Sequence, residues 1–298
     1  MSLFKVIDDL SKWSPYCEEK TYDFWSQKFP ITSEQSSVLA KYAEIRKNYD
    51  WGDFEPCFLK STILKQSISC LSQKLETHEI KTVKSALYTF KKDFDSLWDS
   101  DNYLQKRKKQ IEEEMNKINV NELLSIIATL YSLDTVPSSI DIYLLFNPTP
   151  NNSDGGANGG VFIRNGKNVP IEDDLMVLFH EFTHTVSDSL NALLFKLAQQ
   201  KGIPDNFDLH VLHEAIDYTL FPGYFYEEYL RKPFDLKEEA IKQKDKSEYL
   251  YLIYSLAGEV YPDVKKLIHD QENFDQQFIS EMIEFYVSNF KSKADLQN

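Results

Sequence analysis

With 298 residues, 42% hydrophobic and 14% aromatic, the chain can bury a sizeable core as one large domain or two modest ones, which excludes a disordered protein. Its 33 Lys and Arg against 47 Asp and Glu leave a formal charge of −14, the wrong sign for a surface that holds nucleic-acid phosphates. Cys17, Cys57 and Cys70 are too few and too scattered for a disulfide framework; read as unpaired, they point to a reducing, cytoplasmic compartment. The first residues carry no signal-peptide pattern, and no run of eighteen apolar residues occurs, so no membrane span is expected.

Residues 1–135 read as a helical N-terminal region. Ser2 caps a helix to about Trp13, ended by Ser14-Pro15. Thr32 with Gln35 forms a capping box for a helix through Tyr49, and Asp50-Trp51-Gly52-Asp53 with Pro56 breaks the chain. Helices follow over about Leu59–Leu75, from Thr77 with Val83, Leu87, Phe90, Phe94 and Leu97 on one face, over Asn102–Lys117, and over Val120–Tyr131. The basic run Lys106–Lys109 is followed by Glu112-Glu113-Glu114, which reads as a salt-bridged helix face.

The pattern changes near Pro137, opening a second region over residues 136–298. Ser139–Phe146 is a strand, Asn147–Gly160 a loop, and Val161–Arg164 a second strand closed by Asn165-Gly166. The Gly-rich loop reads first as a flexible surface connection; the sharper alternative is that Gly159–Arg164, with Gly160, Val161 and Phe162 at its start, is an edge strand to which an extended substrate adds itself through backbone hydrogen bonds. Pro170 and Glu172-Asp173-Asp174 open a long helix that Gly202 and Pro204 close. Further helices are expected over Asn206–Phe221, Tyr224–Leu230, Leu236–Lys244, Glu248–Val260, Asp263–His269 and Glu272–Phe290, with Pro262 as a break and a frayed polar tail from Lys291.

The long helix carries the chemistry. His180-Glu181-Phe182-Thr183-His184 is an HExxH segment, and residues four apart on a helix lie one above the other. His180 and His184 can therefore aim two imidazoles at one Zn²⁺, with Glu181 offset to handle the proton of a metal-activated water. Leu175, Leu178, Phe179, Phe182, Val186 and Leu190 bury the rest of this helix. A catalytic zinc needs a third protein ligand. Glu214, thirty residues beyond His184, is the leading candidate; His210, one turn earlier on the same face, is its rival or a neighbouring support, and His213 is expected to point elsewhere.

The run from His180 to Asp188 resembles the active-site helix of thermolysin-like metallopeptidases, and Glu214-Ala215-Ile216-Asp217 resembles their glutamate segment. The resemblance covers about fifty residues. It implies a gluzincin: His180, His184 and Glu214 on one zinc, Glu181 as general base and then proton donor, and Asp217 orienting a zinc histidine. Asp217 follows Glu214 by three residues, where the family has four. The metzincin pattern is excluded, since Ser187 and Leu190 hold the positions that would need Gly and His. For the oxyanion-stabilising group the sequence offers Tyr218, Tyr224, Tyr226, His210 and His269 without choosing among them.

The expected protein is thus a mostly helical α+β chain, zincin-like, with a small β-sheet beside the active-site helix, that hydrolyses peptide bonds in a peptide or protein substrate. Two rivals stand beside it. One is a non-enzymatic protein with a structural or vestigial zinc site, closed by His210 or another side chain. The other is a di-iron helix bundle, which requires a second ExxH that the chain lacks.

Overall fold

The computed structural model describes residues 2–14, 17–61, 63–98, 103–137, 139–158, 160–203 and 206–291. Pro15, Asn102, Gly159, Pro204 and the tail beyond Lys291, all used in the expectations above, lie outside them. The structure is mostly helical with one small mixed sheet, an α+β chain. It divides into two compact units, Met1–Glu113 with Ile140–Leu178, and Glu114–Ser139 with Phe179–Asn298. The division differs from a cut at residue 135, because the strands and the first half of the HExxH helix group with the N-terminal helices.

The first unit is built around α1 (Ser2–Ser11), most of which is buried. Phe4, Val6, Ile7 and Leu10 join Trp25, Tyr42, Phe54 and Phe90 in its core. Three charged residues of α1 are buried too, and each has its own partner. Lys5 pairs with Glu55 at 3.0 Å, Asp8 with Arg46 at 3.0 Å, and Asp9 with Arg164 at 2.5 Å. Asp8 also accepts from the Tyr42 hydroxyl, and the Trp13 and Phe54 rings cover the Arg46 guanidinium at 4.2 Å.

Helix α2 (Glu19–Lys28) was not anticipated, whereas α3 (Ser33–Arg46) begins with the expected Thr32–Gln35 capping box. The supposed break at residues 50–56 is a helix, α4 (Trp51–Leu59). Asp50 and Asp53 form a reciprocal capping box there, so residues read as punctuation start the element. Helix α5 is only Leu64–Leu71, and α6 runs from Thr77 to Trp98. Cys57 and Cys70 form a disulfide between α4 and α5, and Cys17 is free and buried. The reading of three unpaired cysteines is corrected, and the argument from them to a reducing compartment goes with it.

Helix α7 (Tyr103–Met115) shows the expected i,i+4 pairs, Lys108–Glu112 at 3.6 Å and Lys109–Glu113 at 3.5 Å. Arg107 leaves that face. It is buried, pairs with Asp174, and donates to the Val169 carbonyl at 2.7 Å. That contact fixes the first turn of α9 (Ile171–Val186), the HExxH helix.

The sheet has the order β1-β3-β2. β1 (Ile142–Phe146) runs parallel to β3 (Val161–Asn165) with Ile142 opposite Val161; β2 (Asp154–Gly156) pairs antiparallel on the other side. The edge-strand expectation for Gly160, Val161 and Phe162 is therefore corrected. β3 is the central strand, buried at all five positions, and its backbone groups are taken on both sides. The added neighbour comes from the Gly-rich loop. A Cβ at Gly156 would lie 2.4 Å from the Phe162 ring, so only glycine lets β2 approach.

In the second unit, α8 (Val120–Leu130) and the second half of α9 join α10 (Asp188–Gln200), α11 (Asn206–Tyr218), α12 (Leu236–Gln243), α13 (Glu248–Asp270) and α14 (Gln276–Phe290). One long helix was expected from Pro170 to about Lys201; instead it breaks at Ser187, whose buried hydroxyl donates to the His184 carbonyl at 3.2 Å. α13 passes through Pro262 without interruption, and a Cβ at Gly258, one turn earlier, would lie 2.8 Å from the Lys237 side chain of α12. α14 starts at the Asp275 cap, four residues later than expected. After α11 the chain enters a π-helical stretch, Thr219–Tyr229, kinked at Phe221. Among the described residues no helix is long and apolar enough to cross a membrane.

Candidate metal centre

Helices α9 and α11 face each other with opposite chemistry on their two sides. The inner side of α9 buries Leu178, Phe179 and Phe182, with the Phe179 ring 5.9 Å from Phe221 and 5.8 Å from Phe225. α11 buries Val211, Leu212, Ala215 and Ile216 with no exposure. This packing holds the polar faces in register, and three donors converge. His184 Nε2 lies 3.2 Å from His180 Nε2. Glu214 straddles the pair, Oε2 at 3.3 Å from His180 Nε2 and Oε1 at 3.5 Å from His184 Nε2. Their side chains are 12%, 21% and 17% exposed, largely buried yet reachable from solvent.

The electrostatics follow from that convergence. Burial alone would push the His180 imidazolium down, but the hydrogen bond and charge of Glu214 outweigh it and hold its pKa up at about 9. Burial would raise the Glu214 carboxyl, and His180 brings it down to about 2 instead. The His184 imidazole is pushed below its usual value, mainly by burial. In this pair the proton therefore sits on His180, facing a carboxylate.

Behind the donors lies a second layer. Asp217 is fully buried, and its Oδ2 is 3.5 Å from both His184 Nδ1 and His213 Nε2. Its Oδ1 accepts a short hydrogen bond from the Tyr131 hydroxyl, which closes α8. Burial and the Asp217 charge push the Tyr131 phenol well above its usual range, so it stays a donor. His213 was expected to point away; it packs on His184 with ring centroids 5.0 Å apart. Residues 213 and 217 are one turn apart, so the sequence did hold the signal that puts His213 on the Asp217 side. Nothing local marks Tyr131, eighty-six residues from Asp217.

The other candidates separate cleanly. Glu181 is half-buried on α9, and its charge raises both His180 and Tyr218. The Tyr218 ring stands edge-on to His180, centroids 5.3 Å apart, and is backed by Tyr254 at 5.0 Å. His210 is exposed and outside the donor cluster; with Leu194, Phe195, Leu209 and His213 it lines a cavity of about 300 Å³. Tyr224 lines a different cavity with Glu122 and His269, and Tyr226 packs on Phe234 at 5.3 Å. The His269 side chain is 87% exposed and pairs with Asp270. Of the five oxyanion candidates, Tyr218 is the one seen in ring contact with His180.

Among the described residues two groups of side chains could hold a metal ion, His180–His184–Glu214 and His184–His213–Asp217, each with its ligand atoms within 4.8 Å of one another, and they share His184. Comparisons with protein-family models, curated proteins and solved structures found no match for the chain. The functional reading therefore rests on the residues and their geometry.

Proposed function

We propose that the chain is a zinc-dependent metallopeptidase in which His180, His184 and Glu214 hold one Zn²⁺ and Glu181 is the general base. One observation carries the reading. Zinc bonds of about 2.0–2.1 Å in a tetrahedral shell put neighbouring donors about 3.3–3.4 Å apart. The three donor contacts are 3.2, 3.3 and 3.5 Å, so the residues fit the ion with little movement. The donor set, two imidazoles and a carboxylate, is that of a catalytic zinc with its fourth position open.

A zinc ion held there would supply a Lewis acid and would make a bound water acidic enough to ionise near neutral pH. Glu181, next to a ligand but not one itself, takes that proton and returns it to the leaving amine. Tyr218, edge-on to His180, is the side chain best placed to donate toward a developing oxyanion. The resemblance of His180–Asp188 and Glu214–Asp217 to the gluzincins supports the same assignment. A closed structural site would leave the half-buried Glu181 without a role, and His210 stands outside the donor cluster it would need to complete.

The test is metal content and turnover of a fluorogenic peptide library, before and after chelation. Glu181→Gln should keep about one zinc per chain and lose turnover by at least about 100-fold. Full activity with zinc retained in that variant would sink the mechanism, and an absence of zinc in the parent protein would sink the site.

A further inference from the structure

The charge layer behind the metal donors contains one group from outside the two motif helices. Tyr131 ends α8, is 2% exposed, and donates its hydroxyl to Asp217 Oδ1 while also meeting the Thr183 hydroxyl inside the HExxH segment. Asp217 turns its other oxygen toward His184 Nδ1 at 3.5 Å; that oxygen is buried with no hydrogen-bond partner, so it is placed to accept an Nδ1 proton once the ring settles on the metal. A histidine that binds metal through Nε2 must carry its remaining proton on Nδ1, and an acceptor at that nitrogen fixes both tautomer and ring orientation. A carboxylate can do this only while its own rotation is fixed. No Lys or Arg is paired with Asp217 among the described ion pairs, so a neutral phenol holds it in place.

We propose that Tyr131 is a positioning residue for the metal centre: its hydroxyl locks the Asp217 carboxylate, and the carboxylate in turn holds His184 with Nε2 free for the metal. This rests on the metal reading above and extends it to a third helix. His213 shares Asp217 Oδ2 with His184 at the same 3.5 Å, so a carboxylate released by Tyr131 can swing toward either imidazole. Loss of the phenol should therefore disturb the ligand rather than merely loosen the fold.

The same unit supplies a control. Tyr286 is also fully buried and donates to a buried aspartate, Asp208, at 2.7 Å, and neither residue belongs to a metal-binding group. The experiment titrates the full chain with Co²⁺, read by its visible absorption, and then displaces it with Zn²⁺. Tyr131→Phe should weaken metal affinity about 10-fold and alter the cobalt spectrum, whereas Tyr286→Phe should cost stability but leave both unchanged. Equal affinity and spectrum in Tyr131→Phe and the parent overturn the proposal, and so does an equal loss in Tyr286→Phe. If Tyr131→Phe fails to fold, Asp217→Asn breaks the relay one step later and should show the same loss; parent-like affinity there also overturns it. If the parent chain binds neither ion, the metal reading falls, and this proposal with it.

Discussion

Metal binding here should release a proton, over a pH window set by the His180–Glu214 pair. In the metal-free chain Glu214 holds the His180 imidazolium up at about 9, against an ordinary value of 6.5. Zinc needs the Nε2 lone pair, so at pH 7 the proton must leave first. Two pH units below the pKa, that costs about 2.7 kcal/mol, or a factor of about 100 in apparent affinity. The His180 proton alone should make affinity rise about tenfold per pH unit from 7 to 9 and then level off, with ionisation of the zinc-bound water steepening the rise. Glu214, held down to about 2, stays ionised throughout and adds no slope. The stability of the metal-free chain runs the other way. A raised folded-state pKa stabilises fully below the unfolded value, and the gain is lost as pH climbs from about 6.5 through 9. Calorimetric zinc titrations in buffers of different ionisation enthalpy would show that the part of the proton release removed by Glu214→Gln, which takes away the group holding His180 up, is close to one per ion at about pH 7.5 and close to none at about pH 10, on top of the proton given up by the zinc-bound water. A pH-independent affinity across 7–9, or a metal-free melting temperature that does not fall there, would refute the reasoning.

Three further outcomes are expected. His210→Ala should leave zinc affinity unchanged while His184→Ala abolishes it, because only His184 is in the donor cluster; a zinc titration of both variants decides between Glu214 and His210 as third ligand. Phe179→Ala removes a ring with no exposure, wedged between Phe221 and Phe225, and should destabilise the second unit by about 3–5 kcal/mol in denaturant unfolding. Cys70→Ser opens a loop with a sequence separation of 13 and should cost about 3 kcal/mol, with Cys57 becoming titratable as a thiol; no change in either readout would mean the bond does not form in solution.

What could be read from the sequence was local. The Thr32–Gln35 box, the face shared by His180 and His184, and the β-rich run ending at Phe146 are decided within a few residues, and each was found there. Asp50 to Pro56 failed because Gly52 and Pro56 were weighed by propensity, while the Asp50–Asp53 box, equally local, was overlooked. β2 and Arg107 could not have been found that way. Gly155 and Gly156 become strand only by pairing with β3, and Arg107 turns inward only because Asp174 awaits it sixty-seven residues on. At the site the two motifs bring His180, His184 and Glu214 together and carry Asp217 with them, but Tyr131, eighty-six residues from Asp217, is a tertiary neighbour with no sequence spacing to announce it.

The buried charges of α1 bear on how the protein is made. Lys5, Asp8 and Asp9 meet partners at positions 55, 46 and 164, all of them later in the sequence, so α1 waits during synthesis for three later arrivals. A buried charge without its partner costs several kcal/mol. The nascent helix therefore cannot settle into its final seat until Arg164 has emerged, and by then the whole of residues 114–139, which belong to the other unit, has already been extruded. Ribosome-bound chains stopped before and after Arg164 should differ sharply in how well a protease reaches α1.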